Sequence, residues 1–164
     1  NRGRFSFYNK KFSDLKDYVG DGPLLIDFWT TWCPNCTRQM GYLNDIAEHF
    51  EGNGLKVLAI NINEPKIVNK VKPYIQTKNF SYDVAIDPEN ILGKYFGVDG
   101  IPTLVLVDND GNIINRYVGY SPGKEEDYIK DLENYYNERG VKHNPISLKE
   151  ETIDFDDQDI SIEF

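Results

Sequence analysis

The sequence predicts an α/β domain built on a central mixed β-sheet with helices on both faces. Three observations carry that expectation. Short apolar runs of strand length alternate with segments whose apolar residues recur every three or four positions. A hairpin signal, Asp108-Asn109-Asp110-Gly111, joins two further strand-like runs late in the chain. One more amphipathic stretch follows, so an antiparallel pair and a helix close a sheet that begins with strand-helix alternation.

The elements follow in order. Phe5 to Gly22 mixes aromatics with Lys, Asp and Gly and reads as an edge strand or short helix ending in the turn Gly20-Asp21-Gly22-Pro23. Leu24 to Trp29 is nearly continuous in apolar residues, as a strand buried on both faces must be. After Cys33 the period changes: Met40, Leu43, Ile46, Ala47 and Phe50 mark an amphipathic helix that stops near Gly52 and Gly54. Leu55 to Ile62 is a second buried strand. Ile67, Val71, Tyr74 and Ile75 form a helical face that Pro73 should bend or shorten. Tyr82 to Ile86 alternates like a strand. Asp87-Pro88-Glu89 is expected to open a helix reaching about Phe96, with Asp87 as cap and Pro88 at the first helical position. Thr103 to Val107 and Ile113 to Val118 are the hairpin strands. Glu125 to Arg139 is the last helix, with Tyr128, Ile129, Leu132, Tyr135 and Tyr136 on its apolar face and Gly140 at its end.

A chain of 164 residues, 40% hydrophobic and 27% charged, has the size and composition of one globular domain. No apolar run approaches bilayer-spanning length. The chain starts on Asn rather than Met, which leaves room for a targeting segment or N-terminal anchor removed by processing or cloning. The net charge of −9 argues against a nucleic-acid partner, and most of it is local: Leu148 to Phe164 holds seven acids and one Lys. The domain is therefore expected over residues 1–140, with 141–164 an acidic tail or linker. Thr152 to Asp156 and Ile160 to Phe164 alternate as strands do. Disorder, an added strand and a link into further sequence are the three readings, the last preferred.

The two cysteines lie three positions apart. With His49 and His143 they make up four metal-binding side chains, but neither His falls at motif spacing. Both are expected on the surface, and no metal or cofactor is called for. A Cys-x-x-Cys behind a strand reads first as a redox pair, two structural cysteines being the bland alternative. Only a thiolate attacks a disulfide, so such a cysteine needs its charged form favoured. Cys33 falls where the strand has ended and a helix begins, facing the unpaired amides and the positive end of the helix dipole. Pro34 suits the first helical position and leaves the amides of Asn35 and Cys36 for the sulfur. Cys33 is then the attacking thiol and Cys36, one turn in, the resolving one. Trp32 is expected on the rim of this site and Trp29 in the core.

On these residues the chain resembles the thioredoxin superfamily over most of residues 5–140: Asp27-Phe28-Trp29, Trp32-Cys33-x-x-Cys36 and, downstream, Gly100-Ile101-Pro102-Thr103. Cys33 and Pro102 are 69 positions apart, more than in plain thioredoxins, and the excess lies between Ile62 and Gly97. That insertion, with the run Ala59-Ile60-Asn61-Ile62-Asn63-Glu64, resembles the TlpA/ResA-like branch of extracytoplasmic thiol oxidoreductases. The resemblance implies a thioredoxin-like fold with an extra helix and strand ahead of a cis-Pro102. That bond would leave the Ile101 backbone free to pair with an extended substrate, beside Trp32 and Pro34. Asp27 matches the buried acid of thioredoxins and Glu64 the cleft acid of the branch. The chain departs from both patterns, holding both acids and placing Ala59 where thioredoxins have a Lys. Two carboxylates in one cleft would tune Cys36 and push one pKa upward; a solvated Glu64 ahead of the next helix is the alternative. The implied partners are protein thiols and disulfides and an upstream redox protein, met by a monomer in the periplasm or tethered facing it, the cytoplasm being the alternative. Pro34-Asn35 leaves reductant, oxidant and isomerase open, and a peptide-binding module without turnover is a third class.

Overall fold

A computed structural model describes residues 5–7, 15 and 18–149. Its strands are β1 (Phe5–Phe7), β2 (Leu24–Trp29), β3 (Lys56–Asn61), β4 (Asp83–Ile86), β5 (Thr103–Val107) and β6 (Ile113–Val118). They form one sheet in the order β1-β4-β3-β2-β5-β6. The first four in that order are parallel; β5 is antiparallel to β2, and β6 to β5. The helices are α1 (Pro34–Phe50), α2 (Val71–Gln76), α3 (Ile91–Tyr95) and α4 (Lys124–Glu138), with 3-10 turns at Glu51–Asn53 and Pro65–Lys70. Among the described residues no helix is long and apolar enough to cross a membrane.

Every residue of β2 is buried, because this strand lies between parallel β3 and antiparallel β5. Its two-residue period sends Leu25 and Trp29 into one apolar layer, with residues of α1, α2 and α4. Leu24, Ile26 and Phe28 enter the other layer, with α3 and Leu15. By the same alternation Asp27 points toward α1. One acid therefore stands in the wall of an apolar layer, and the functional site grows around it.

Met40, Leu43, Ile46 and Phe50 are buried as the spacing predicts, and α1 ends in the 3-10 turn and Gly54, whose φ of +82° favours glycine. There the chain passes close to Gly22: a Cβ on Gly22 would lie 2.3 Å from the Gly54 carbonyl oxygen. The Lys56 amide donates to the Pro23 carbonyl at 3.1 Å and sets the register of β3 on β2.

One boundary differs from the sequence expectation. The helix expected to open at Pro88 opens at Ile91, because Asn90 adopts a left-handed φ of +54° that interrupts the helix. Asp87 nevertheless caps it from a distance, its buried carboxylate accepting the amides of Ile91 and Leu92 at 2.9 Å each. Pro73 lies in the first turn of α2, where its missing N–H costs nothing, and α2 is short.

Residues 141–149 have no regular secondary structure yet run along α1. Asn53 donates to the Lys142 carbonyl at 2.8 Å, His49 Nε2 lies 2.8 Å from the Asn144 carbonyl, and the Lys149 amide donates to Asp45 at 3.2 Å. Ile146 and Leu148 pack on the core. His143, its side chain only 13% exposed, packs near the rings of Phe50 and Tyr136. Both histidines, expected on the surface, are thus half-buried, because His49 bonds this segment from α1 and His143 packs it against Phe50 of α1 and Tyr136 of α4. The strand-like runs Thr152 to Asp156 and Ile160 to Phe164 lie outside the described residues.

The Gly22–Gly54 approach yields a stability prediction. Gly22→Ala should destabilise by about 1–3 kcal/mol through this backbone clash, whereas Gly52→Ala, with open space around its Cβ, should not. Urea unfolding of the two variants checks it.

Candidate active site

Four residues, Thr30 to Cys33, carry the chain from the end of β2 to the start of α1. Cys33 takes extended backbone angles at the N-cap, and Pro34 follows at the first helical position. Of the two amides expected to face the sulfur, that of Cys36 donates to Cys33 Sγ at 3.2 Å. This places a donor and the positive end of a 17-residue helix on the charge that a Cys33 thiolate would carry. Cys33 and Cys36 form a disulfide, with their Cα atoms 5.2 Å apart. Cys33 keeps 7% exposure and Cys36 none, so the first residue borders the surface and the second is fully enclosed.

The turn ahead of Cys33 is held by a residue to which the sequence pattern assigns no role. Buried Asn63 accepts the Thr31 amide at 2.9 Å and donates to the Thr31 hydroxyl at 2.8 Å. Asn61 holds Asn63 in turn: its side chain donates to Asn63 Oδ1 at 3.1 Å and accepts the Asn63 amide at 2.9 Å. The end of β3 thereby clamps the segment that presents Trp32 and Cys33. Behind Cys36, the Thr37 hydroxyl meets Tyr74 Oη at 2.6 Å, and the Tyr74 ring lies 5.4 Å from that of Trp29. The insertion thus braces the first turn of α1.

Asp27, on the face of β2 turned to α1, is tied to the helix that carries the pair. Gln39, one turn after Cys36, donates from Nε2 to Asp27 Oδ1 at 2.9 Å, and Tyr128 donates to Gln39 Oε1 at 2.7 Å. Burial pushes the Asp27 carboxyl up to about 7, with the Gln39 hydrogen bond acting in the opposite direction. Glu64 has no share in that rise, so the expected mutual push of two carboxylates is replaced by plain desolvation. The Asp27 charge in turn helps to raise the buried Tyr82 phenol, after burial itself. Gln39 and Tyr128 were legible only as anomalies: a polar residue inside an apolar stripe, and a phenol that needs a partner once buried.

The remaining sequence candidates fall into three groups. Ile101 packs on the cluster that includes Cys33, Cys36 and Trp29. The Ile101–Pro102 peptide bond is cis, Pro102 is buried, and its carbonyl accepts the Gly119 amide at 2.8 Å. Trp32, 63% exposed, and Pro34 face solvent beside the disulfide. Glu64 is exposed at the start of the 3-10 turn and makes no side-chain capping bond. Among the described residues no group of three or more His, Cys, Asp or Glu is placed to hold a metal ion.

A dithiol at the start of a helix laid on this mixed sheet defines a thioredoxin-like thiol-disulfide oxidoreductase. The comparisons agree. Residues 9–136 match the Redoxin family. The thiol-disulfide oxidoreductase ResA of Bacillus thuringiensis is 32% identical over 120 residues, which is 73% of this chain and 68% of that protein. An uncharacterized thioredoxin-like protein from Porphyromonas gingivalis has a solved structure similar at a TM-score of 0.64, with 28% identity over 73% of this chain and 78% of its own. The exposed lipoprotein thioredoxin of Streptococcus pneumoniae shares the fold at a TM-score of 0.63, with 20% identity over 73% and 89% of the two chains. The chain belongs to the Redoxin family, among the ResA-like thiol-disulfide oxidoreductases, and Cys33 and Cys36 are its redox pair.

Asp27 makes stability depend on pH. Below about pH 4 the carboxyl is protonated in folded and unfolded chains alike. Between about pH 4 and pH 7 only the folded chain keeps the proton, so stability falls as pH rises, by about 4 kcal/mol in all. Asp27→Asn removes this dependence. Its stability relative to the native protein should therefore climb across that window and level off above it, as urea unfolding at a series of pH values would show.

Proposed function

We propose that the chain reduces protein disulfides outside the cytoplasm. The observation that carries this reading is the buried Asp27, joined through Gln39 to the helix of both cysteines and holding its proton up to about neutral pH. Such an acid suits the removal of a proton from a buried resolving thiol. Asp27 rather than Glu64 is assigned that duty, since Glu64 is exposed and has no such link to the cysteine helix.

In the reduced protein the Cys33 thiolate attacks one sulfur of a substrate disulfide. A mixed disulfide forms, and the second substrate sulfur leaves as a thiolate that takes a proton from solvent. Cys36 gives its proton to Asp27 and attacks Cys33 Sγ. The Cys33–Cys36 disulfide forms, and the first substrate sulfur leaves as a thiolate. Two electrons have passed from the dithiol to the substrate. An upstream redox protein restores the dithiol by the reverse exchange.

The Ile101 backbone beside cis-Pro102 offers an edge to an extended substrate, with Trp32 and Pro34 as the exposed apolar contacts. Every group in the cycle comes from one copy of the chain, so the proposal assigns a monomer, with residues 1–140 as the catalytic unit and 141–164 as its tail. Placement outside the cytoplasm, in the periplasm or tethered facing it, is supported by the exposed lipoprotein thioredoxin of the same fold.

Insulin reduction driven by dithiothreitol tests the reading. Cys33→Ser should fall to the rate of dithiothreitol alone; equal rates would leave a peptide-binding module. The reduction potential fixes the direction: a value near the about −270 mV of thioredoxin supports a reductant, and one near the about −120 mV of strong oxidants overturns it.

A further inference from the structure

We propose that Gln39 is a positioning residue for the Cys36 proton: its amide, held in one orientation by the Tyr128 hydroxyl, occupies Asp27 Oδ1 and leaves Oδ2 as the atom that takes the proton. The proposal rests on the reading of Asp27 as proton acceptor for Cys36.

Gln39 follows Cys36 by three residues, so both lie on the same face of α1, within a stripe that continues with Met40 and Leu43. A Leu there would complete the stripe. Gln39 is buried all the same, and both of its polar ends are used. A side-chain amide can turn either way about its last bond, and the network around it decides which. With Nε2 toward Asp27 the amide favours the carboxylate; with Oε1 toward Asp27 it would oppose it. Tyr128 favours the first orientation, in which its hydroxyl proton has an acceptor. Burial and the charges of Asp27 and Glu125 keep its hydroxyl protonated, and that hydroxyl needs Oε1 as acceptor. The reversed amide would take this acceptor away.

The other carboxyl oxygen, Asp27 Oδ2, is buried and has no hydrogen-bond partner among the described residues. A proton arriving at Asp27 therefore binds Oδ2, since Oδ1 already accepts from Gln39. The groups around the acid leave Gln39 without a substitute. Its strand neighbours in register are Ala59 of β3 and Leu104 of β5. The titratable groups that feel its charge are Tyr82 beside β4 and Tyr128 of α4, with Tyr74 of α2 next to Tyr82. Cys36 belongs to the same buried layer. Among the described residues no cation contributes to the Asp27 equilibrium. Gln39 fills the part that a nearby positive charge would otherwise play.

The test is an NMR titration of the Asp27 carboxyl carbon together with the pH profile of insulin reduction. Both are measured for the native protein, Gln39→Leu and Tyr128→Phe, and the profile again in an Asp27→Asn background. Gln39→Leu should raise the proton affinity of Asp27 about tenfold, moving its midpoint up by about one pH unit and the rising limb of the rate with it. Tyr128→Phe, which keeps the ring, should move both the same way by less, and carries the test if Gln39→Leu does not fold. In the Asp27→Asn background neither substitution should move the rate limb. A midpoint indifferent to both substitutions overturns the Gln39 proposal alone. A midpoint that moves while the rate ignores Asp27→Asn overturns the assignment of Asp27 to Cys36, and this proposal with it.

Discussion

The hydrogen bond from Gln39 to Asp27 ties the middle strand of the sheet to the helix that carries both cysteines. It exists because β2 alternates. Leu25, Asp27 and Trp29 share the face that α1 covers, so a strand buried on both sides presents an acid to the interior of a helix. An isolated carboxylate in such a place would cost several kcal/mol. The fold limits that cost in two ways, by keeping the proton on the acid up to about neutral pH and by lending it one amide donor. Both suit the proposed role of Asp27, which accepts a proton from a buried thiol.

A second constraint acts on the segments that flank the disulfide. The Asn61–Asn63 pair fastens Thr31 from the β3 side, and the Gly119 amide fastens the Pro102 carbonyl from the β6 side. Between these flanks the disulfide presents Cys33 outward and Cys36 inward. In the proposed cycle this asymmetry separates the roles of two chemically identical thiols: Cys33 meets the substrate, and Cys36 attacks Cys33. The insertion adds a further brace where Tyr74 meets Thr37, one residue beyond Cys36.

Much of this was legible in the residue pattern. The burial of β2, the stripe of α1, the hairpin at Asp108 to Gly111 and the apolar face of α4 all rest on local periodicity and turn chemistry, which act over a few residues. The helix after Asp87 was misplaced because Pro88 is a good opening residue in isolation, whereas the left-handed turn at Asn90 postpones the start. Nothing local shows that residues 141–149 return along α1, so the sequence alone leaves His49 and His143 on the surface.

By itself the sequence determined the redox pair and its setting: an apolar strand, two cysteines three apart, and a helix beginning between them, all within a dozen residues. Only the tertiary structure decided what surrounds that pair. Gln39, Tyr128, Asn63 and Thr31 meet across separations of up to 89 positions, and hydrogen bonds between distant residues leave no period in the chain. The carboxyl of Asp27 was visible as an acid in an apolar run. Its altered proton affinity comes from the layers that close over it, and only folding brings those together.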